Sequence, residues 1–297
     1  MDRENMRNAP VRFSIITPSY NQGAFIAETI ESVLSQEGDF HIEYIVMDGG
    51  STDNSVEVIK KYDRLLKEGR WPVKCLGITY SWKSEKDGGQ TDAIEKGFDA
   101  ARGEIAGWLN SDDIYYDSRV FERVMKEFME DEELKIVTGD GLFIDRGGKE
   151  IGPHRVDRID FNELLYLDYH ILQPATFVAK DIYKGERLDR SYNYCFDAEY
   201  FIRLINKGCK YKKIGSSLAC FRFYPEIKTL SGFRKRYSES LRISRVYGRN
   251  IFYYIVSAFY KYWVIVLVNK YPSVGFIRKA TALFRIFAYK FISGKVR

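Results

Sequence analysis

The chain has 297 residues, of which 45% are hydrophobic and 15% aromatic, and this composition predicts a globular protein with one large domain or two smaller ones. Its four cysteines form no pairing or CxxC pattern and its three histidines form no zinc-binding motif, which argues against a soft-metal site and favours a reducing compartment. Residues 231–297 carry 14 Lys and Arg but one acid, Glu239, so this tail has a net charge of +13 and the remainder −8. We therefore expect the acidic body and the basic tail to meet different partners.

The first 110 residues alternate between strand-like apolar runs and helical patterns. The predicted elements are strand Val11–Thr17, helix Ala24–Leu34, strand Ile42–Met47, a helix through Val56 and Leu66, strand Lys74–Thr79, helix Gln90–Ala101 and strand Glu104–Leu109. This alternation predicts an α/β fold with a mostly parallel, doubly wound sheet.

Polar residues follow each of these predicted strands. They are Pro18-Ser19-Tyr20-Asn21, Asp48, Asp87-Gly88-Gly89 and Asn110-Ser111-Asp112-Asp113. Because ligands bind at the carboxyl ends of such strands, we expect three acidic clusters to converge on one edge beside Tyr20. Each cluster alone is equally typical of a tight turn, a helix cap or a solvated loop. Together they favour a cation that neutralises the carboxylates, and oxygen ligands favour Mg²⁺ or Mn²⁺ held partly by substrate phosphates.

The pattern after residue 120 is α+β, with helix Val120–Met129 and strand Lys135–Asp140 predicted. Gln173 begins the stretch QPATFV, which is equally typical of a buried strand with a polar start. Asp197 lies at the beginning of the helical stretch CFDAEYFIRL, where the helix dipole alone favours an acid.

Two stretches of the tail are apolar. Ile251–Val268 is interrupted only by Ser257 and Lys261 and is just long enough to span a bilayer, although its aromatic content suits a membrane interface. Phe276–Ile292 places apolar residues on one helical face and basic residues on the other, which predicts an amphipathic helix on an anionic leaflet. The alternative is a helix that packs on the acidic body.

No GxGxxG follows the first strand and no GxxxxGK[ST] occurs, so the dinucleotide and Walker phosphate loops are missing. Four blocks in this order, SIITPSYN, IVMDGGSTDNS, DGGQTDAIEKGFDAARGEIAGWLNSDD and CFDAEYFIRL, resemble the family 2 nucleotide-sugar glycosyltransferases, especially those that build bacterial surface polysaccharides. The resemblance runs from about Val11 to about Phe223 and implies the GT-A fold, a Rossmann-like nucleotide-binding half with an α+β acceptor half.

The resemblance also implies roles for single residues in donor binding. Tyr20 matches the residue near the nucleobase, Asp48 the acceptor for the base N–H, and Asp87 the acid that lines the nucleotide pocket. The wider substrate-binding set adds Pro18, Gly88, Asn110, Ser111 and Gln173, with Gln173 placed against the sugar or the acceptor.

The resemblance places the metal and the catalytic base in the last two blocks. Asp112 matches the metal ligand of the Asp-x-Asp motif. Asn110 stands where the motif has its first acid, so the motif supplies less negative charge here, and Asp113 is expected to support Asn110 or Asp112. Asp197 keeps the position of the catalytic base, with Phe196 in place of the family's Glu. Glu199 is the fallback base, but its position in the helix points it elsewhere.

The resemblance implies an inverting, metal-dependent glycosyltransferase of the hexosyl type that uses a nucleoside-diphosphate sugar, most simply a UDP-sugar, and Mn²⁺ or Mg²⁺. The expected acceptor is a glycan or a polyprenyl-linked glycan, and the tail is expected to hold the enzyme on the cytoplasmic face of the cell membrane, with no nucleic acid partner. The expected organisation is a flexible N-terminus at 1–10, a nucleotide-sugar half at 11–119, an acceptor half at 120–230 and a membrane-associating tail at 231–297. The alternative is an inactive sugar-nucleotide-binding protein, or a membrane-binding or nucleic-acid-binding module.

Overall fold

The computed structural model describes residues 11–155, 158–167, 170–224, 226 and 232–270. These residues form two compact units. The first unit takes residues 11–155, 172–188 and 209–223, and the second takes the other described residues. Each unit is therefore assembled from separate stretches of the chain.

The described part of the first unit forms a nine-stranded mixed sheet. Its strands are β1 (Arg12–Ser19), β2 (Gly38–Asp48), β3 (Cys75–Ser84), β4 (Ile105–Trp108), β5 (Ile114–Tyr115), β6 (Ile136–Ile144), β7 (Glu150–His154), β8 (Thr176–Ala179) and β9 (Tyr211–Arg222). The strand order is β3-β2-β1-β4-β8-β6-β9-β5, and β7 pairs with β6. The strands β3, β2, β1 and β4 are parallel neighbours, which confirms the predicted doubly wound half.

The register of these four parallel strands aligns their carboxyl ends. Ser19 at the end of β1 lies opposite Asp48 at the end of β2, and Asp48 lies opposite Ser84 at the end of β3. On the other side of β1, Trp108 at the end of β4 lies opposite Ile16. The polar segments that follow these strands therefore begin along one edge of the sheet.

Five helices in the described part of the first unit connect the strands. They are α1 (Ile26–Leu34), α2 (Ser55–Lys67), α3 (Gln90–Ala100), α4 (Val120–Glu130) and α5 (Lys180–Gly185). Helix α3 approaches β1 at Gly97, where an added Cβ would lie 2.4 Å from the Ile16 side chain. Only glycine allows the helix to pack this closely on the strand.

An aromatic cluster fills the core between the sheet and its helices. Phe13 stacks on Phe121 with ring centroids 4.6 Å apart, and Tyr115 stacks on Phe177 at 5.7 Å. Full burial stabilises each such side chain by about 1.5–3 kcal/mol relative to exposure, so this cluster contributes a large part of the sheet's stability.

The described part of the second unit is helical. It contains a π-helical turn (Glu163–Leu167), α6 (Phe196–Asn206), α7 (Phe233–Tyr247) and α8 (Ile251–Lys270). The Ser244 hydroxyl of α7 donates to the Leu165 carbonyl at 2.5 Å, and the ring of Tyr166 contacts that of Tyr253 at 5.6 Å. The first two helices of the basic tail are thus packed parts of this unit.

The predicted strands and helices of the first half are all present, with different ends. Strand β2 begins at Gly38 and β3 continues to Ser84, because both extend along a neighbouring strand rather than along their own apolar run. The predicted strand at Gln173 starts as a 3-10 turn, Gln173–Ala175. The predicted flexible N-terminus and the predicted helix Phe276–Ile292 lie outside the described residues, and the predicted domain boundaries stay predictions.

Candidate active site

Asp48 organises the loop that follows β2. Its side chain is buried, and one carboxylate oxygen accepts hydrogen bonds from the Ser84 hydroxyl at 2.7 Å and from the N–H groups of Gly50 and Ser51. The other oxygen accepts the Ser51 hydroxyl at 2.5 Å. Asp48 therefore ties the ends of β2 and β3 together and keeps acceptor capacity on that second oxygen for a ligand.

The segment after β1 is locked onto the same loop. Asn21 has a left-handed backbone with φ 52°, its N–H donates to the Ser51 hydroxyl at 2.8 Å, and its side chain accepts the Thr52 N–H at 2.8 Å. This arrangement leaves the Tyr20 ring 62% exposed beside the edge of the sheet. The Ser19 hydroxyl is buried and makes no hydrogen bond to any described group, so it can still bond to a ligand.

The loop of Asp87 meets the loop of Asp48. A Cβ added at Gly49 would lie 2.9 Å from a carboxylate oxygen of Asp87, so the two loops touch. Asp87 accepts the N–H of Gly89 at 2.8 Å, and Gly89 has φ 101°, a conformation that favours glycine.

A small depression at this place collects charges of both signs. Its lining includes Asp48, Asp87, Lys83 and Lys96. The carboxylate of Asp92, by a hydrogen bond, and its negative charge raise the pKa of Lys96 above its usual range, so Lys96 is charged at neutral pH. Both lysines form ion pairs with Glu85, which also lines the depression, at 2.9 Å from Lys83 and 3.5 Å from Lys96, so a phosphate bound here would compete with that carboxylate. Sequence reasoning missed Lys96, although it lies in the helix that follows the Asp87 turn.

Asn110 is the centre of an amide network after β4. Its side-chain oxygen accepts the Gln90 amide at 2.8 Å, and its nitrogen donates to Gln173 and to Asp113, each at 3.3 Å. Gln173 in turn donates to the Trp108 carbonyl at 2.6 Å. The structure thus brings together two of the predicted substrate-binding residues, and it adds Gln90, which the sequence did not single out.

The adjacent carboxylates Asp112 and Asp113 have different environments. Asp113 is 1% exposed and accepts the backbone N–H of Arg222 at 2.9 Å. Burial raises the pKa of Asp113 well above its usual range, and the nearby charge of Asp112 raises it further. Asp112 is only half-buried, while the intervening Ser111 is buried. Asp112 is therefore the acid of this pair that remains accessible to a ligand.

Arg222 holds the backbone of this turn, and sequence reasoning did not identify it. Its guanidinium is fully buried, donates to the carbonyl of Asp112 at 2.8 Å and forms an ion pair with Glu28 at 2.7 Å. It also donates to the carbonyl of Arg146 at 3.0 Å and lies over the Phe25 ring. The signal was present, because Arg222 is the one charged residue in the run LACFRF.

A divalent cation fits this site only with ligands from a substrate. The described residues contain no group of three or more His, Cys, Asp or Glu that could hold a metal ion. Asp112 offers one accessible carboxylate, and Mg²⁺ characteristically binds one or two carboxylates together with substrate phosphates and water. The donor set therefore suits a hard cation that arrives with a diphosphate.

In the second unit, Asp197 lies in the first turn of α6 and is half-buried. Glu199, two residues later, is 1% exposed, forms an ion pair with Arg203 at 2.8 Å and accepts a hydrogen bond from the Tyr247 hydroxyl. Burial and this hydrogen bond raise the pKa of Tyr247. Glu199 therefore holds the helix bundle together, which leaves Asp197 as the candidate base on α6.

Comparisons with known proteins agree with this architecture. The sequence model of Glycosyl transferase family 2 matches residues 14–186, more than half of the chain. An uncharacterized glycosyltransferase of Nostoc sp. is 28% identical over 246 residues, which cover 81% of this chain and 66% of that protein. The minor teichoic acid biosynthesis protein GgaB of Bacillus subtilis is 28% identical over 207 residues, which cover 67% of this chain and 21% of GgaB. The chain thus spans less than two thirds of each of these two relatives.

Two solved structures share the fold at low sequence identity. The structure of S. aureus TarS 1-349 in complex with UDP-GlcNAc superposes with a TM-score of 0.58 at 15% identity and covers 83% of this chain and 70% of that one. The mannosyltransferase PcManGT from Pyrobaculum calidifontis, in complex with GDP-Man and Mn²⁺, superposes with a TM-score of 0.58 at 13% identity and covers 95% and 84% of the two chains.

Proposed function

This chain belongs to glycosyl transferase family 2 and has the GT-A fold, and from that premise we propose that it transfers a sugar from a nucleoside-diphosphate donor to an acceptor hydroxyl with inversion at the sugar C1. The observation that carries this proposal is the alignment of four parallel strand ends, which brings Asp48, Asp87 and Asn110 to one edge of the sheet.

The nucleoside of the donor is assigned to the edge formed by β1, β2 and β3. The exposed ring of Tyr20 offers a stacking surface for the base, and Asp48 and Ser19 offer hydrogen-bonding groups beside it. We propose a UDP-sugar as donor because TarS was solved with UDP-GlcNAc, and a GDP-sugar is the alternative because PcManGT was solved with GDP-Man.

The diphosphate is assigned to the turn after β4. Asp112 would hold Mn²⁺ or Mg²⁺, and the bound cation would stabilise the negative charge of the leaving diphosphate as a Lewis acid. Asn110 offers the remaining lone pair of its side-chain oxygen to a ribose hydroxyl, and Gln90, Gln173 and Asp113 hold the amide in place. Arg222 fixes the carbonyl of Asp112 and so restricts where its carboxylate lies.

The catalytic base is assigned to Asp197. An acceptor hydroxyl is a poor nucleophile near neutral pH, so its proton passes to the Asp197 carboxylate as its oxygen bonds to C1. The bond from C1 to the diphosphate oxygen breaks at the same time, and the diphosphate leaves with the bonding electron pair. One displacement at C1 inverts its configuration. For this role the carboxylate must come within hydrogen-bond reach of the acceptor hydroxyl.

The proposed acceptor is a glycan or polyprenyl-linked glycan, presented at the inner face of the cell membrane. Helix α8 carries an exposed apolar stripe at helical spacing, namely Ile251, Phe252, Ile255, Phe259, Tyr262 and Trp263. Exposed basic residues lie on α7 and between the two helices, namely Arg234, Lys235, Arg242, Arg245 and Arg249. An apolar stripe next to cations suits an anionic lipid surface. No helix in the described ranges is long and apolar enough to cross a membrane.

The experiment is a measurement of nucleotide release from a panel of UDP-, GDP- and dTDP-sugars, with Mn²⁺ or Mg²⁺ and a bacterial lipid extract as the acceptor source. The wild type is compared with Asp112→Ala and with the control Asp63→Ala, which removes an acid from the surface helix α2. We expect metal-dependent turnover of one donor that Asp112→Ala loses and Asp63→Ala keeps. Donor binding without turnover in every condition would instead favour the inactive sugar-nucleotide-binding protein that the substitutions at Asn110 and Phe196 suggest.

A further inference from the structure

The one acid of the tail, Glu239, binds the backbone that leads into α6. One carboxylate oxygen accepts the N–H groups of Tyr194 at 2.8 Å and Cys195 at 2.9 Å, and the other accepts the N–H of Asn193 at 3.0 Å. Three successive N–H groups that converge on one carboxylate form a backbone anion site. Among 14 Lys and Arg in residues 231–297, the single carboxylate is thus placed where it binds α6.

The sequence of helix α6 supplies no cap of its own. Its N-cap residue, Cys195, makes no side-chain hydrogen bond to the first turn. In a capping box, a Glu or Gln at the third helical position accepts the N–H of the N-cap residue, but this position is Ala198 here. Glu239 reaches the same N–H from another helix and replaces the missing residue.

Further contacts fasten α7 to the same segment. Arg242 donates to the Ser191 hydroxyl at 2.5 Å and lies over the Tyr192 ring at 4.2 Å. The Cys195 thiol donates to the Arg236 carbonyl at 3.3 Å. With the hydrogen bond from Tyr247 to Glu199, α7 contacts the chain on both sides of Asp197.

We propose that Glu239 is a positioning residue for Asp197, so that α7 is part of the catalytic unit and not only a means of attachment to a membrane. This inference rests on the proposed function, because it requires Asp197 to be the base. Asp197 is the second residue of α6, so the backbone that Glu239 holds ends two residues before it. A carboxylate that must remove a proton during bond formation is sensitive to small displacements, and a shift of about 1 Å costs roughly 10²-fold in rate.

The first test is independent of activity. Amide hydrogen exchange of residues 193–199 is measured in the full chain for the wild type, Glu239→Gln, Glu239→Ala and the control Glu57→Gln, which changes an exposed glutamate of α2. We expect the exchange rate of this segment to be at least about tenfold higher in Glu239→Ala than in the wild type. The rate should increase less in Glu239→Gln and should not change in Glu57→Gln. Unchanged protection in Glu239→Ala would overturn the proposal.

The second test separates positioning from folding. Turnover and donor KM are measured for the same proteins, together with the melting temperature. We expect kcat of Glu239→Ala to fall roughly 10–10²-fold with donor KM unchanged, and partial recovery in Glu239→Gln, which keeps one acceptor oxygen. A lower melting temperature with an unchanged kcat would overturn the proposal and leave the proposed function intact. No turnover by the wild type would overturn the proposed function and with it the catalytic part of this inference.

Discussion

Replacement of Arg222 by methionine tests how the turn of Asp112 is held. The fully buried guanidinium donates to the carbonyls of Asp112, Asp145 and Arg146 and forms an ion pair with Glu28. Methionine fills similar volume but donates no hydrogen bond, so these part-buried carbonyls lose their partner at up to about 1–3 kcal/mol each. Relaxation and entry of water reduce the sum, and we expect a loss of about 3–5 kcal/mol in the free energy of unfolding.

The assay is equilibrium urea unfolding of the wild type, Arg222→Met and Arg119→Met, with Glu28→Gln as a milder change. Arg119 is an exposed arginine with ion pairs to Glu37 and Glu122, so its loss should cost about 0–1 kcal/mol. Glu28 is half-exposed, so water can solvate the amide of Glu28→Gln. The loss of unfolding free energy in this variant should therefore lie between the losses in Arg222→Met and Arg119→Met. A loss below about 1 kcal/mol in Arg222→Met would show that Arg222 does not hold the turn.

Three other changes have defined outcomes. Burial raises the pKa of Asp113 in the folded state, so the free energy of unfolding should fall as the pH rises from the ordinary aspartate range through that raised pKa. Urea unfolding at a series of pH values should show this loss in the wild type but not in Asp113→Asn. Equal pH slopes in the two proteins would contradict this expectation. Gly89→Ala should cost about 1–3 kcal/mol because φ is 101°, whereas the control Gly185→Ala, which has no neighbour within 4 Å of an added Cβ, should be nearly neutral. Tyr20→Ala should change the free energy of unfolding by no more than about 0.5 kcal/mol. It should weaken donor binding, measured by calorimetry, by roughly tenfold, since base stacking contributes about 1–3 kcal/mol. A donor affinity equal to that of the wild type would show that Tyr20 is not part of the site.

The ends of β1, β2 and β4 could be predicted from the sequence because their cause is local, whereas β3 continues past its predicted end at Thr79 to Ser84 because it pairs with β2. Each apolar run stops at a polar turn, and parallel strands place such stops at one edge, so Asp48, Asp87 and Asn110 were expected together. The structure confirms the sheet that brings them to this edge, and their roles toward a donor stay predictions. The adjacency of Asp112 and Asp113 was visible, but the inward position of Asp113 was not.

The residues that hold the site could not be predicted because their contacts are distant in sequence. Arg222 bonds to a turn 110 residues earlier, and Glu239 bonds to residues 44 to 46 positions earlier. Hydrophobic periodicity identifies the element to which such a residue belongs but not its partner. Two signals remained in the sequence: Arg222 is the one charged residue in the run LACFRF, and Glu239 is the single acid in a basic tail. A charged residue in an apolar run, or an acid in a basic segment, is a candidate for a structural hydrogen bond or ion pair.

In the proposed reaction, Asp197 takes the proton of the acceptor while the first unit binds the donor. The direct test of this role is donor binding by calorimetry, together with sugar transfer by nucleotide release, in the wild type and Asp197→Asn. If Asp197 is the base, Asp197→Asn should bind the donor with an affinity within about twofold of the wild type and transfer the sugar roughly 10²–10⁴-fold more slowly, the usual contribution of a positioned base. Transfer by Asp197→Asn at the wild-type rate would show that Asp197 is not the base.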